Sequence, residues 1–177
     1  MITLLMIIAL AWQFYLGYSR GLVKQTYLLI AQVVSILVAK TYYKPLAGLL
    51  TFWVPYTQAV EEKVLTYFPQ VSIFEMDKVF YAGTAFLALT LASYFVLRLL
   101  AVFLYFFPLW KLDTTRFNMI SGALSVFMTV VFWSMALRLF ATVPFDQVQS
   151  LLTSNPIISL LINVPILSDV LNQLWVG

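Results

Sequence analysis

The chain has 177 residues, of which 63% are hydrophobic and 10% charged, with a net charge of +3. Soluble domains carry roughly 45–50% apolar and about 25% charged residues, so this chain has too few charges to cover a surface in water and is expected to be solvated largely by lipid. It has no cysteine and no histidine, which excludes disulfides, thiolate nucleophiles, imidazole bases and the usual zinc sites. It also has no basic tail that could track nucleic acid.

Crossing ~30 Å of hydrocarbon takes about 20 apolar residues in a helix. Four segments provide them, and none shows the alternation of a barrel strand. The first, residues 2–18, opens with "MITLLMIIALAWQFYLG". It has no basic leader and no small-residue cleavage site, so it is expected to stay as a span rather than leave as a signal peptide. A tight bend follows, with Arg20 between Gly17 and Gly21 on one side and Lys24 on the other. The two glycines are expected to serve the turn. The second span covers 22–43. An antiparallel hairpin brings Gln13 and Gln32 to similar depths, where their amides could hydrogen-bond for ~1 kcal/mol or less. Ala31, Ser35 and Ala39 form a small-residue stripe suited to close helix contact, as do Thr84, Ala88 and Ala92 in the third span.

The middle loop, about residues 44–78, contains "YTQAVEEKVLTYF". Its apolar Val60, Val64, Leu65 and Phe68 oppose Glu61, Glu62 and Lys63, as in an interfacial amphipathic helix. Ser72 and Glu75 have the spacing of a capping box before the third span. That span covers 79–100, and apolar residues continue to Trp110, about 48 Å as unbroken helix. Either it tilts with Arg98 deep in the bilayer, or it ends near Arg98 and "AVFLYFFPLW" lies along the interface. A central arginine costs at least ~2.5–3.5 kcal/mol, and no acid lies within the spans to pair with it, which favours the interfacial placement. The fourth span covers 117–143. The tail, 144–177, offers Asp146 with Gln149 as one cap pair and Asn155 before Pro156 as another helix start. Its helices are too short to span and are expected on the outer surface or against the bundle.

Short cytoplasmic loops collect lysine and arginine. Arg20 and Lys24 follow the first span, and Lys111 and Arg116 precede the fourth, so both odd-numbered loops are expected inside and both termini outside. Lys40, Lys44 and Arg138 run against that pattern. The expected fold is all-α: one polytopic membrane domain over 1–177, with four transmembrane helices and short amphipathic interfacial helices. No catalytic constellation, metal cluster or phosphate loop is visible, so neither enzyme activity nor a cofactor is expected.

"GYSRGLVKQTYLLIAQVVSILVAKTYYKPLA", "RFNMISGALSVF" and "LLTSNPIISLLINVPIL" together resemble the colicin V production protein family, also called CvpA. The resemblance implies a four-span protein of the bacterial inner membrane, linked to toxin production and envelope maintenance. By matching position its motif residues here are Gly17, Arg20, Gly21, Asn118 and Gly122. The expected role is a scaffold for a membrane or envelope protein partner, with self-association and the bilayer as further contacts. The alternative is an oligomeric channel or transporter subunit, with Gln13, Gln32 and a deep Arg98 as its intramembrane polar site.

Overall fold

A computed structural model describes residues 2–56, 67–68, 71–72, 75–106, 114–165 and 167–176. Its described residues form seven α-helices and a 3-10 segment, with no strand. The order is α1 (Ile2–Arg20), α2 (Leu22–Leu50), α3 (Met76–Leu100), the 3-10 segment Ala101–Phe106, α4 (Thr115–Phe140), α5 (Asp146–Ser154), α6 (Pro156–Ile162) and α7 (Leu167–Trp175). Four helices, α1 to α4, are long and apolar enough to cross a membrane. Large apolar side chains stay uncovered along them, among them Leu4, Leu5, Trp12, Leu91, Phe95 and Leu99. Such contiguous apolar surface belongs in hydrocarbon. The chain is an all-α, polytopic membrane protein.

Local chemistry sets the helix ends. Arg20 closes α1, where a cation complements the carbonyl end of the helix dipole. Gly21 then takes φ 80°, the left-handed conformation that side chains resist, and its carbonyl accepts the Gln25 N–H at 3.1 Å to start α2. Pro45 lies within α2. That helix runs on to Leu50, beyond the expected end at Tyr43. Glu75 N–H donates to the Ser72 carbonyl at 2.9 Å, and Asp77 Oδ1 accepts from Lys78 N–H at 2.7 Å in the first turn of α3. The α-helix ends at Leu100, two residues past Arg98, and tightens into the 3-10 segment. Thr114 Oγ1 faces the Phe117 N–H at 3.4 Å, before α4.

Of the two helix starts expected in the tail, one needs correcting and one holds. Asp146 is the first residue of α5 and Phe145 its cap, without a side-chain hydrogen bond. Gln149 donates instead to the carbonyls of Ala141 and Val143, at 3.1 and 2.9 Å, and so serves the frayed end of α4. Asn155 does cap α6, with Pro156 as its first residue, but no side-chain bond closes that cap. Most of the proposed amphipathic helix of the middle loop, residues 57–66, lies outside the described residues, as does Lys111.

By its internal contacts the chain forms two compact units, Met1–Val38 with Thr90–Phe132, and Ala39–Leu89 with Trp133–Gly177. The first has a small, polar interior. Gly17 faces α4, where an added Cβ would lie 2.7 Å from the Ser121 carbonyl oxygen and 3.0 Å from Gly122 Cα, and would collide with Ser125 Cβ. Gly17 is therefore a helix-packing glycine, not a turn residue, and Ser121 Oγ donates to its carbonyl at 2.5 Å. Gly122 in turn makes room for the Phe14 ring. Gln25 and Gln32, 1% and 2% exposed, both reach Met128, at its sulfur (3.1 Å) and its carbonyl (3.0 Å). The stripe Ala31, Ser35, Ala39 is buried. The second stripe is not: Ala88 and Ala92 are exposed, and Ala82, Ala85 and Phe86 form the buried face of α3 instead.

The second unit has an aromatic interior. Tyr43 and Trp175 each pack edge-on to Phe86, at 6.0 and 6.2 Å between centroids. The rings of Trp175 and the side chain of Leu139 close over Gly83. Phenols donate to backbone carbonyls: Tyr43 to Leu174 (2.6 Å), Tyr56 to Thr142 (2.8 Å) and Tyr81 to Val54 (2.7 Å).

Gly17→Ala is expected to cost about 1–3 kcal/mol by overpacking. Gly48→Ala, with open space around it, should be neutral or slightly stabilising. Thermal unfolding in detergent compares the two. Burial, and secondarily the charge of Asp77, push the Tyr56 hydroxyl up to about 12 from 10.0. Below pH ~10 folded and unfolded states both hold that proton. Between there and about 12 only the unfolded state releases it, so stability should fall as pH rises through this window. In the same titration Tyr56→Phe should show a shallower fall.

Candidate functional site

The second unit holds a charge that the sequence pattern assigns to no site. Arg138, near the end of α4, is 3% exposed. Its Nη1 donates to the Ile162 carbonyl at 3.0 Å and its Nη2 to Asn172 Oδ1 at 2.5 Å. The Phe68 ring lies 5.6 Å from the guanidinium carbon, a cation–π approach. The third nitrogen, Nε, is buried without an acceptor among the described residues. A planar guanidinium can serve several acceptors at fixed angles, which an ammonium does not. Here it ties the last residue of α6 and the middle of α7 to α4.

The amphipathic tail makes this arrangement. In α6 the buried residues are Ile158, Leu161 and Ile162; in α7 they are Leu171 and Trp175. With Leu171 inward, Asn172 comes to the arginine while Asp169 and Gln173 stay exposed. Between them lies a cavity of about 500 Å³, lined by Arg138 with Tyr67, Phe68, Asn163, Ser168, Asp169, Asn172 and Gln173, among others. Its chemistry is that of recognition: one guanidinium, one carboxylate, three amides and two hydroxyls over an aromatic floor. A smaller polar recess, about 380 Å³, continues past Tyr67 and Asn163 to Thr153 and Ser159. Tyr67 spans the two and donates to the Leu152 carbonyl at 3.1 Å.

The residues singled out from the sequence fall elsewhere, in the first unit. Gln32 bonds to α4 through Met128, so its amide does not meet Gln13, which is half-buried in α1. Gly17 and Gly122 stand at the α1–α4 contact. The Asn118 side-chain oxygen is buried without a partner among the described residues. Arg98 is brought together with Arg20 and Lys24, which line one cleft with Leu28, Ala101 and Val102.

Arg138 was legible only as a cation on the wrong side of the topology. The available signal was the tail's "SDVLNQLW", whose amphipathic spacing sets Asn172 beside an inward Leu171. Replacing Arg138 with methionine removes charge-assisted bonds worth about 1.5–3 kcal/mol each. A cysteine at Leu171, 1% exposed in the native chain, should then react with a maleimide at least ~10-fold faster than in the Arg138 background. Unchanged labelling would mean that the arginine does not hold α7.

A model of the family described as "Colicin V production protein" matches residues 2–165. The chain is also 27% identical over 181 residues, 99% of its own length and 97% of the relative's, to the "Uncharacterized transmembrane protein YshB" of Bacillus subtilis (strain 168). No solved structure matches.

Proposed function

Because the chain belongs to the colicin V production protein family, we propose that it works as a non-enzymatic, partner-binding scaffold in the bacterial cytoplasmic membrane, serving colicin V-type toxin production and upkeep of the envelope. The family description suggests the process. The observation that carries the binding role is Arg138, a buried guanidinium lining a cavity of about 500 Å³, with one N–H donor that no described residue accepts. A polar segment of an incoming polypeptide would meet the cavity walls, where Asn163, Asn172 and Gln173 supply hydrogen-bonding groups around the guanidinium. The charged and amide groups suit recognition, because no hydroxyl or carboxylate among the lining residues is paired with a base that would activate it.

The placement of the cations supports the sidedness of this reading. Arg138 is held by a carbonyl and an amide inside the fold, so it does not weigh as a loop charge against an outward-facing tail. Arg20, Lys24 and Arg116 then mark the inner side, with both termini and the cavity outside. For a channel or transporter subunit, Arg98 would need to stand alone along α3; its place beside Arg20 and Lys24 speaks against a charged path there.

A photo-crosslinkable residue at Gln173, an exposed part of the cavity wall, should capture a discrete heterologous protein in native membranes. The same label at Phe95, an apolar position 61% exposed, should capture lipid. The Gln173 adduct should weaken when Arg138 is replaced by methionine. Recovery of lipid and self alone from Gln173 would end the scaffold reading.

A further inference from the structure

The smaller recess of the second unit, about 380 Å³, is lined among the described residues by Tyr67, Thr153, Ser159 and Asn163, with no carboxylate and no cation in its wall. Thr153 comes from the last turn of α5 and Ser159 from α6, and Asn163 is the residue that follows α6. Ser159 and Asn163 are one helical turn apart, beside the buried Ile158, Leu161 and Ile162 that seat α6. The apolar seating of that helix therefore leaves both polar side chains along one edge of the recess.

The donors and acceptors of the wall restrict what it can hold. Thr153 Oγ1 donates to the Gln149 carbonyl at 2.9 Å, and the Tyr67 hydroxyl to the Leu152 carbonyl at 3.1 Å. Each has given its proton to the fold and offers only lone pairs to the recess. The Ser159 hydroxyl and the Asn163 amide hold no side-chain hydrogen bond among the described residues, so both donate as well as accept. Acceptors thus predominate. A carboxylate or phosphate only accepts, and would set lone pairs against lone pairs with no cation to offset its charge. A cation would find no carboxylate in the wall, and an acyl chain would strand the polar groups. A neutral molecule rich in hydroxyls fits, because each hydroxyl donates to Thr153 or Tyr67 and accepts from Ser159 or Asn163. The Tyr67 ring adds an apolar body against which the C–H face of a sugar ring can lie.

We propose that this recess binds a neutral saccharide, with its hydroxyls bonded to Tyr67, Thr153, Ser159 and Asn163. Tyr67 and Asn163 also border the Arg138 cavity, whereas Thr153 and Ser159 do not, so the two sites can be tested apart. The assignment goes beyond the partner-binding role and stands whether or not the Arg138 cavity receives a polypeptide.

The test is saturation-transfer NMR of the full chain in lipid nanodiscs, with chitotriose, maltotriose, glucuronic acid and triglycine as probes. Transfer should reach at least one of the two neutral oligosaccharides and exceed that to glucuronic acid and to triglycine. Ser159→Ala and Thr153→Val should each weaken the bound oligosaccharide by about fivefold, the worth of one hydrogen bond, in proteins whose thermal unfolding matches the native chain. Asn163→Asp keeps the acceptors and adds a charge, so the oligosaccharide should stay and glucuronic acid should remain unbound. Gln173→Ala, which alters the Arg138 cavity alone, should change nothing. No transfer to either oligosaccharide, equal transfer to glucuronic acid or triglycine, or equal affinity in all variants would overturn the proposal. A loss in Gln173→Ala as large as in Ser159→Ala would put the ligand in the Arg138 cavity and overturn it as well.

Discussion

Inside hydrocarbon a polar group has no water to turn to, so it must find its partner within the protein. This chain has seven acids in all, and the spans contain few of them. Its buried cations and amides therefore turn to backbone carbonyls. Arg138 takes the carbonyl that ends α6, Gln32 takes that of Met128, and Tyr27 and Tyr43 take those of Leu97 and Leu174. Each of these bonds joins two helices that are distant in sequence, so the need to satisfy polar groups also fixes which helices meet. Apolar burial alone gives no such selection, since lipid tails are as apolar as leucine.

The same constraint explains why the two units have different interiors. Where α1 meets α4, attraction comes from close backbone approach, and Gly17, Ser121, Gly122 and Ser125 make that approach sterically possible. Where the short helices α5 to α7 gather, there is room for large groups, and Phe86, Trp175 and Tyr43 interlock. A buried guanidinium is tolerated there because a carbonyl, an amide and an aromatic face surround it.

Much of this was legible in the sequence. The four spans follow from length and hydropathy alone, and so does the all-helical class. Details that depend on a partner helix were less legible. Gly17 could be read as a turn glycine because it lies four residues from Gly21, and only the position of Ser125 reveals its packing role. The stripes at 31, 35, 39 and 84, 88, 92 satisfy the same pattern, yet the first is buried in protein while Ala88 and Ala92 of the second are exposed. In lipid both faces of a helix are apolar, so periodicity loses the contrast that marks the inward side in water. Gln25 was passed over for the same reason. The expected cap residue Asp146 is the first residue of α5 instead, and Gln149 binds the carbonyls at the end of α4. Arg138 was counted as a topology charge because nothing in α4 itself announces Asn172.

The account rests on α3 crossing the bilayer and leaving it near Arg98, so that this arginine joins Arg20 and Lys24 at the headgroups. Spin labels placed singly at Leu91, Phe95, Leu99, Val102 and Phe106 in liposomes, read by oxygen and by a water-soluble nickel complex, measure that depth directly. Oxygen contact should be greatest at Leu91 and fall steadily toward Phe106, with the nickel complex gaining access from Val102 onward. Greater oxygen contact at Val102 than at Leu91 would place Arg98 in the middle of the bilayer and contradict the account.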